Sequence, residues 1–299
     1  MIQEYEDGFA CVGKDKEGRP VLISSTLKAG KPSAHFLGTV DGKTAAQWLQ
    51  EVATPSICCM CLTADRQQLT DRAVRSFQAQ SYENRWLLIF DTGVEPYIPG
   101  TRDPLIVIVR DLAMRGKRIG ALRNEAAQLA SRADIIAHWD SDDVSHPERL
   151  FLQFEDLLGN SATGFRNMLF FDSRPGKTNA WEYTYQMHGR VLGSSLMYWW
   201  KTWDQHHFDE AKIEGEESWW PSYVFGNSGC FPTNGVSPKP LLIADYHGAN
   251  TGNYGAGSNG TPVFFDQTPA QHAAQKAAAR WEFRRAPEWD EYCREVMVP

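Results

Sequence analysis

The sequence predicts an α/β fold built on a mixed sheet, and three observations carry that expectation. From Ser56 onward, apolar β-prone runs alternate with stretches whose apolar residues recur at three- and four-residue steps. The strand-like runs are continuously apolar, as in strands buried on both faces of a parallel sheet. One of them, Ala133 to His138, empties into Trp139-Asp140-Ser141-Asp142-Asp143 just before a new helical pattern. Strand, acidic turn, helix is the order found where open α/β sheets bind ligands, at the carboxyl ends of their strands.

Residues 1–53 read as an N-terminal extension with two short β-prone runs, Phe9 to Val12 and Val21 to Ser24, around a Lys-Asp-Lys-Glu-Gly turn. A short helical pattern, Ala45 to Val52, ends at Thr54-Pro55. The main domain, 54–265, opens with a buried strand from Ser56 to Leu62. Leu69, Ala73, Val74 and Phe77 mark one helical face, Trp86 to Phe90 the next strand and Leu105 to Val109 a third. Ile119, Leu122, Ala126 and Leu129 lie at helical steps before the Ile135 strand. Beyond the helix of Leu150, Phe151, Phe154 and Leu158 the strict alternation is lost. Strands are expected at Met168 to Asp172, Trp181 to Tyr185 and Leu192 to Tyr198, giving a partly antiparallel second half. The Gly- and Asn-rich run Gly248 to Gly260 reads as a loop, and Ala270 to Arg285 as a helix within a C-terminal helical segment, 266–299.

A chain of 299 residues buries a sizeable core. Its 30 basic against 37 acidic residues, a formal charge of −7, disfavour a broad electrostatic grip on nucleic acid. Cys58, Cys59 and Cys61 share one apolar run and read as reduced core thiols, neither a disulfide framework nor a zinc ligand set. No signal peptide is read at the start, and no apolar stretch approaches the ~18 residues needed to cross a bilayer. The expectation is a cytoplasmic protein. Trp199, Trp200 and Trp203, then Trp219 and Trp220, form clusters suited either to a core or to stacking on sugars and bases.

Carboxylates gathered at a strand end are costly unless a cation sits among them. Hard oxygen ligands of this kind suit Mg²⁺ or Mn²⁺, which complete their shells with water and phosphate oxygens. Asp140, Asp142 and Asp143 therefore point to a phosphorylated substrate, although acidic loops also serve as helix caps and solvated turns. Ser145-His-Pro-Glu148 matches the capping-box pattern at the head of the following helix.

Four segments in series resemble the inverting, family 2 type of nucleotide-sugar glycosyltransferase with the GT-A, Rossmann-like fold. They are Ser56-Ile-Cys-Cys-Met-Cys-Leu-Thr63-Ala-Asp65-Arg66; Phe77-Gln-Ala-Gln80-Ser-Tyr82 through Asp91-Thr92-Gly93; Gly116-Lys-Arg-Ile-Gly120-Ala-Leu-Arg123-Asn124; and His138-Trp-Asp140-Ser-Asp142-Asp143 with Pro147-Glu-Arg149-Leu. The resemblance spans roughly Pro55 to His247. It implies that Thr63, Asp65, Arg66 and Asp91 hold the base and ribose, and that Arg123 and Asn124 lie beside the nucleotide-sugar. It makes Asp142 the direct metal ligand, with Asp140 toward ribose or metal. The family usually shows Asp-Asp-Gly where this chain has Asp91-Thr92-Gly93, so the base is left open, with a UDP-sugar as the leading donor.

Single displacement needs one carboxylate to take the acceptor proton and one cation to steady the leaving diphosphate. The resemblance places the base in Gly215-Glu216-Glu217-Ser218, giving Glu217 as general base and Glu216 as its neighbour, though two acids at a helix head also merely complement its dipole. Gly193-Ser194-Ser195 resembles the segment lining the acceptor side. His247, in Tyr246-His247-Gly-Ala-Asn250-Thr251, resembles a His that reaches the metal or the diphosphate.

The function expected is transfer of a sugar to a hydroxyl acceptor, a saccharide or other glycan, with a modified nucleic-acid base as the alternative. Two further classes stay open: a nucleotidyltransferase, which typically begins with a Gly-rich basic segment that this chain lacks before Asp65, and a non-catalytic nucleotide or saccharide binder.

Overall fold

The computed structural model describes residues 55–100, 102–157, 160–165, 167–174, 176–185, 191–211, 241–247 and 281–297, together with short strands within 1–53. Those strands are β1 (Gln3–Tyr5), β2 (Gly8–Lys14), β3 (Pro20–Thr26) and β4 (Ser33–His35), which form an antiparallel sheet, and the pair β5 (Thr39–Val40) and β6 (Lys43–Thr44). Both β-prone runs of the extension thus lie in strands, β2 and β3. The helical pattern Ala45 to Val52 falls outside the described residues, as do Gly248 to Gly260 and the first part of the helix expected from Ala270.

The alternating half forms β7 (Ile57–Thr63), α1 (Gln67–Gln78), β8 (Arg85–Asp91), β9 (Ile106–Arg110), α2 (Ile119–Leu129) and β10 (Ile135–His138). β9, β8, β7 and β10 run parallel in that spatial order. The runs of β7, β8 and β10 are buried on both faces, Ile57 to Cys61 and Leu87 to Phe90 being at most 1% exposed, whereas the edge strand β9 is half-exposed, with Ile108 at 37%. Burial on this scale stabilises by roughly 1.5–3 kcal/mol for each large apolar side chain. α1 packs Ala73, Val74 and Phe77 on one side of the sheet against Ile57, Cys59 and Leu87. On the other side Ala126, Ala127 and Ala130 meet Cys58, Met60 and Leu88.

α2 is turned differently from the sequence expectation. Of the expected face Ala126 is fully buried, but Leu122 is only half-buried and Leu129 is 40% exposed, while Gly120, Arg123, Asn124 and Ala127 join Ala126 in the inward stripe. The stripe still follows helical spacing, but two of its members are polar.

The second half closes both sheets. β15 (Met197–Trp199) runs antiparallel beside β10 and is flanked by β12 (Ala162–Thr163), completing six strands in the order β12-β15-β10-β7-β8-β9. A five-stranded sheet follows the order β11 (Val144–Ser145), β16 (Leu242–Tyr246), β13 (Asn167–Asp172), β14 (Asn179–Tyr185), β17 (Trp281–Arg285). The expected mixed character holds: β13 and β16 are parallel and the other pairs antiparallel.

Three expectations are corrected here. Gly193–Ser195, read as strand, is a 3-10 turn ahead of β15. Trp281–Arg285, read as the end of a helix, is strand β17, because its backbone completes a ladder with β14; a short helix, α4 (Trp200–Gln205), follows β15, and the described terminal helix is α5 (Asp290–Met297). The capping box does not form. Ser145 lies in β11 and its hydroxyl accepts from Arg149 Nη1, while the N–H of Glu148 donates to His146 Nδ1 at the head of α3 (Arg149–Leu157). Among the described residues no helix is long and apolar enough to cross a membrane.

Candidate functional site

The strand order reverses between β7 and β10: the chain builds outward from β7 through β8 to β9, then returns to add β10 on the other side. In open α/β sheets the crevice at such a switch point, at the carboxyl strand ends, is where ligands bind. The turn after β7 carries Asp65 and Arg66, and the turn after β10 carries Asp140 to Asp143. This second turn also joins the two sheets, since β11 begins at Val144 in the other one.

Asp142 is the focus of the crevice. Its Oδ2 accepts from Arg66 Nη1 at 3.0 Å and lies 3.2 Å from His247 Nε2, the first residue beyond β16. Burial pushes the Asp142 carboxyl up, but the His247 hydrogen bond and the Arg66 guanidinium outweigh it and hold the group below the usual carboxylate range. Asp143 behaves oppositely: buried, and beside the charges of Asp142 and Asp140, its carboxyl is pushed well up. Neighbouring Asp142 and Asp143 are thus shifted in opposite directions. Asp140 sits apart, with Oδ1 3.2 Å from Arg123 Nη2.

The turn after β7 is held in a demanding shape. Asp65 has φ 54°, the left-handed region, which costs a non-glycine residue about 1–2 kcal/mol. Glu95 N–H and Arg115 Nη1 donate to its carboxylate at 3.0 and 2.8 Å and draw its pKa down. Gly93 passes beneath it so closely that a Cβ there would stand 2.7 Å from Asp65 N. The Thr63 hydroxyl is buried and donates to Thr70 Oγ1, which itself donates to Arg66 O. Thr63 therefore shapes the turn from below.

Two residues expected beside the ligand are occupied structurally. Asp91 is 1% exposed, and its two oxygens accept from the backbone N–H groups of Gly93 and Tyr97, both at 2.8 Å. That carboxylate folds the 92–97 loop. Asn124 uses its whole amide: Oδ1 accepts from Trp203 Nε1 and Phe208 N, and Nδ2 donates to Phe208 O and Glu210 Oε1. It ties the 203–210 segment to α2, and Gly120 permits the contact, since a Cβ there would meet Asp209 O at 2.0 Å.

Beneath the acidic turn, Arg149 is buried and bonds Ser145 Oγ, Gln153 Oε1 and the carbonyls of His138 and Ser194. Burial brings its pKa down to about 10. His138 Nδ1 lies 2.6 Å from Gly193 O, so this nitrogen carries the proton, and burial holds the imidazole neutral. Together these bonds press the Gly193–Ser195 turn against the end of β10. Arg72 and Asp245 are site residues that periodicity does not reveal, because each lies in an otherwise ordinary helix or strand. Arg72 Nη2 donates to Asp142 O at 2.7 Å and to Asp245 Oδ2 at 2.6 Å.

Glu216, Glu217, Trp219 and Trp220 lie outside the described residues. The indole N–H groups of Trp199, Trp200 and Trp203 are spent on Asn160 O, Ala127 O and Asn124 Oδ1, so this cluster serves packing.

No protein-family model matches the chain. No curated protein matches it. Solved structures do match. S. aureus TarS 1-349 in complex with UDP-GlcNAc is 11% identical with a TM-score of 0.45, over 66% of this chain and 60% of that one. GalNAc-T7 with UDP, GalNAc and Mn²⁺ is 10% identical with a TM-score of 0.47, over 64% and 44%. The mannosyltransferase PcManGT from Pyrobaculum calidifontis, in complex with GDP-Man and Mn²⁺, is 12% identical with a TM-score of 0.35, over 53% and 48%. The chain spans 35%, 58% and 60% of the lengths of three TarS chains among those it matches.

Proposed function

We propose that this chain is a metal-dependent inverting glycosyltransferase of the GT-A, family 2 type, moving a sugar from a nucleotide-sugar, with UDP as the leading nucleotide, to a hydroxyl acceptor on a glycan. The observation that carries the reading is the Asp142 carboxylate at the β7/β10 switch point, shared at 3.0 and 3.2 Å by Arg66 and His247.

The donor set fits a hard divalent ion that the protein holds in part. Asp142 Oδ2 and His247 Nε2 converge, and among the described residues no group of three or more His, Cys, Asp or Glu side chains is arranged to hold a metal. Mg²⁺ and Mn²⁺ are commonly bound this way, through one or two protein ligands with phosphate oxygens and water completing the shell. Asp142 and His247 would hold the ion. Asp140, drawn toward Arg123, is assigned to the ribose or sugar side. When bound, the ion would neutralise charge on the departing diphosphate.

The chain's own groups do the rest. Arg66 supplies planar donors suited to a phosphate. Asp65 and Arg115 form an acceptor and donor pair at the far side of the turn, suited to a base edge. Arg123 neutralises Asp140 beside the sugar. A carboxylate must take the acceptor's hydroxyl proton as its oxygen attacks the anomeric carbon and the nucleoside diphosphate departs; Glu217 is assigned this role from its sequence context, with Glu216 beside it.

The test is a thermal-shift screen of UDP, GDP and their sugar conjugates with and without Mn²⁺, since ligands that bind only the native state raise its melting temperature. A metal-dependent shift with one nucleotide, lost in Asp142→Asn, supports the proposal. Shifts that are absent, or indifferent to that substitution, overturn it. Donor turnover lost in Glu217→Gln while the shift persists separates catalysis from mere binding.

A further inference from the structure

Arg72 stands under the site without reaching it, yet it touches both halves of the candidate metal pair's framework. It sits on α1 and is 7% exposed. Nη2 donates to the main-chain oxygen of Asp142 at 2.7 Å and to Asp245 Oδ2 at 2.6 Å; Nη1 donates to Met297 O, in the last turn of α5, at 2.6 Å. Asp245 is itself 2% exposed, and its other oxygen accepts a hydrogen bond from the Ser173 hydroxyl at 2.5 Å. His247 follows Asp245 by two residues on the same strand exit. One guanidinium thus grips the peptide that presents Asp142 and the strand that delivers His247.

We infer that Arg72 is a positioning residue: it sets the Asp142–His247 distance from below and makes that distance depend on the docking of α5. The physical reason is the planar guanidinium, whose donors have fixed relative directions and so impose a geometry on three acceptors at once. An ammonium at this place carries the charge without the fork. Asp142 stands two residues before β11 and His247 just beyond β16, strands joined by the short pairing of Val144 with Ile243 and Ser145 with Leu242, so a loosened fork leaves that two-residue ladder to hold the distance and lets the two ends splay. The pair's meaning as a metal site rests on the function proposed above; the mechanical coupling does not.

The two are separable by experiment. Carbon-13-labelled histidine places a probe on His247, identified by the resonance lost in His247→Gln, and Cys293, fully buried on α5, reports docking of that helix through its rate of thiol labelling. In Arg72→Gln and Arg72→Lys the His247 resonance should shift or broaden and Cys293 should label faster, on the order of tenfold, as for one lost charge-assisted hydrogen bond. Arg75→Gln, an exposed position on the same helix, should move neither. Should both Arg72 variants fail to fold, Ser173→Ala, which removes only the hydroxyl partner of Asp245, decides: a displaced His247 resonance supports the coupling. An unmoved resonance in a folded Arg72 variant, or in Ser173→Ala where neither folds, overturns it, as does unchanged Cys293 labelling in a folded Arg72 variant. Wild-type protein that gives these results but ignores Mn²⁺ and nucleotides sinks the metal reading alone.

Discussion

Arg66 and Asp142 come from turns 76 residues apart and meet across the reversal in strand order, Nη1 to Oδ2 at 3.0 Å. Each turn has its own shape: the first is bent by the left-handed Asp65, the second is held by Arg72 and Arg149. The ion pair closes the crevice between them. It places the candidate phosphate-binding donor beside the candidate metal-binding carboxylate.

Removing that donor tests the arrangement directly. Arg66→Met should weaken nucleoside diphosphate binding in the presence of Mn²⁺ on the order of tenfold, the scale of a lost charge-assisted hydrogen bond. Calorimetric titration measures it, and equal affinity in the variant would take Arg66 out of the phosphate site.

Gly120 admits the 208–210 segment against α2, with Asp209 O where a Cβ would stand. Gly120→Ala should therefore destabilise the fold by about 1–3 kcal/mol, as overpacking does, despite alanine's better helix propensity. Urea unfolding reads the sign: a stabilised variant would mean that the segment moves aside freely.

Arg149 is a buried charge held by Ser145, Gln153 and two carbonyls. Arg149→Ala orphans those buried acceptors, so a loss of roughly 1–3 kcal/mol is expected. A drop of less than about 1 kcal/mol by chemical denaturation would show that water or a rearranged loop replaces it.

An acid limb in stability should arise at the C-terminal clamp. Burial raises the Asp290 carboxyl, but the Arg285 hydrogen bonds and the Ala180 N–H outweigh it and leave the pKa below the ordinary value of 3.8. A carboxylate with a depressed folded pKa contributes stability in full above its unfolded pKa and loses it as pH falls through the folded value. Asp290→Asn should thus destabilise at neutral pH, with the gap to the parent beginning to narrow only below about pH 4 and closing as pH falls through the depressed folded value. Parallel curves down to pH 3 would remove Asp290 from the linkage.

The described cysteines should react slowly with thiol reagents in the native state. Cys58, Cys59, Cys61 and Cys293 are free and wholly buried, and burial carries the thiols of Cys59 and Cys293 up to about 12. Mass spectrometry should find these four labelled far more slowly in the native protein than in denaturant. Rapid native modification of Cys61, beside the acidic turn, would indicate an open crevice floor.

The parallel core was legible in the sequence because its information is local. A run such as Ile57 to Cys61 has no polar residue to expose, so it must be buried on both faces whatever surrounds it. The acidic turn after Trp139 was legible for the same reason: three carboxylates at a strand end announce themselves by composition. Only the tertiary structure decided which polar residues face inward and what each one holds. Leu122 and Leu129 made the stronger apolar signal on α2, yet Arg123 and Asn124 face in, because Asp140 accepts from Arg123 Nη2 and the 203–210 segment takes up the whole Asn124 amide. Asp91 became a loop anchor, Ser145 a strand residue and Arg72 a hub for the same cause. A polar side chain's place depends on partners distant in the chain, and burial becomes affordable only once those partners are assembled.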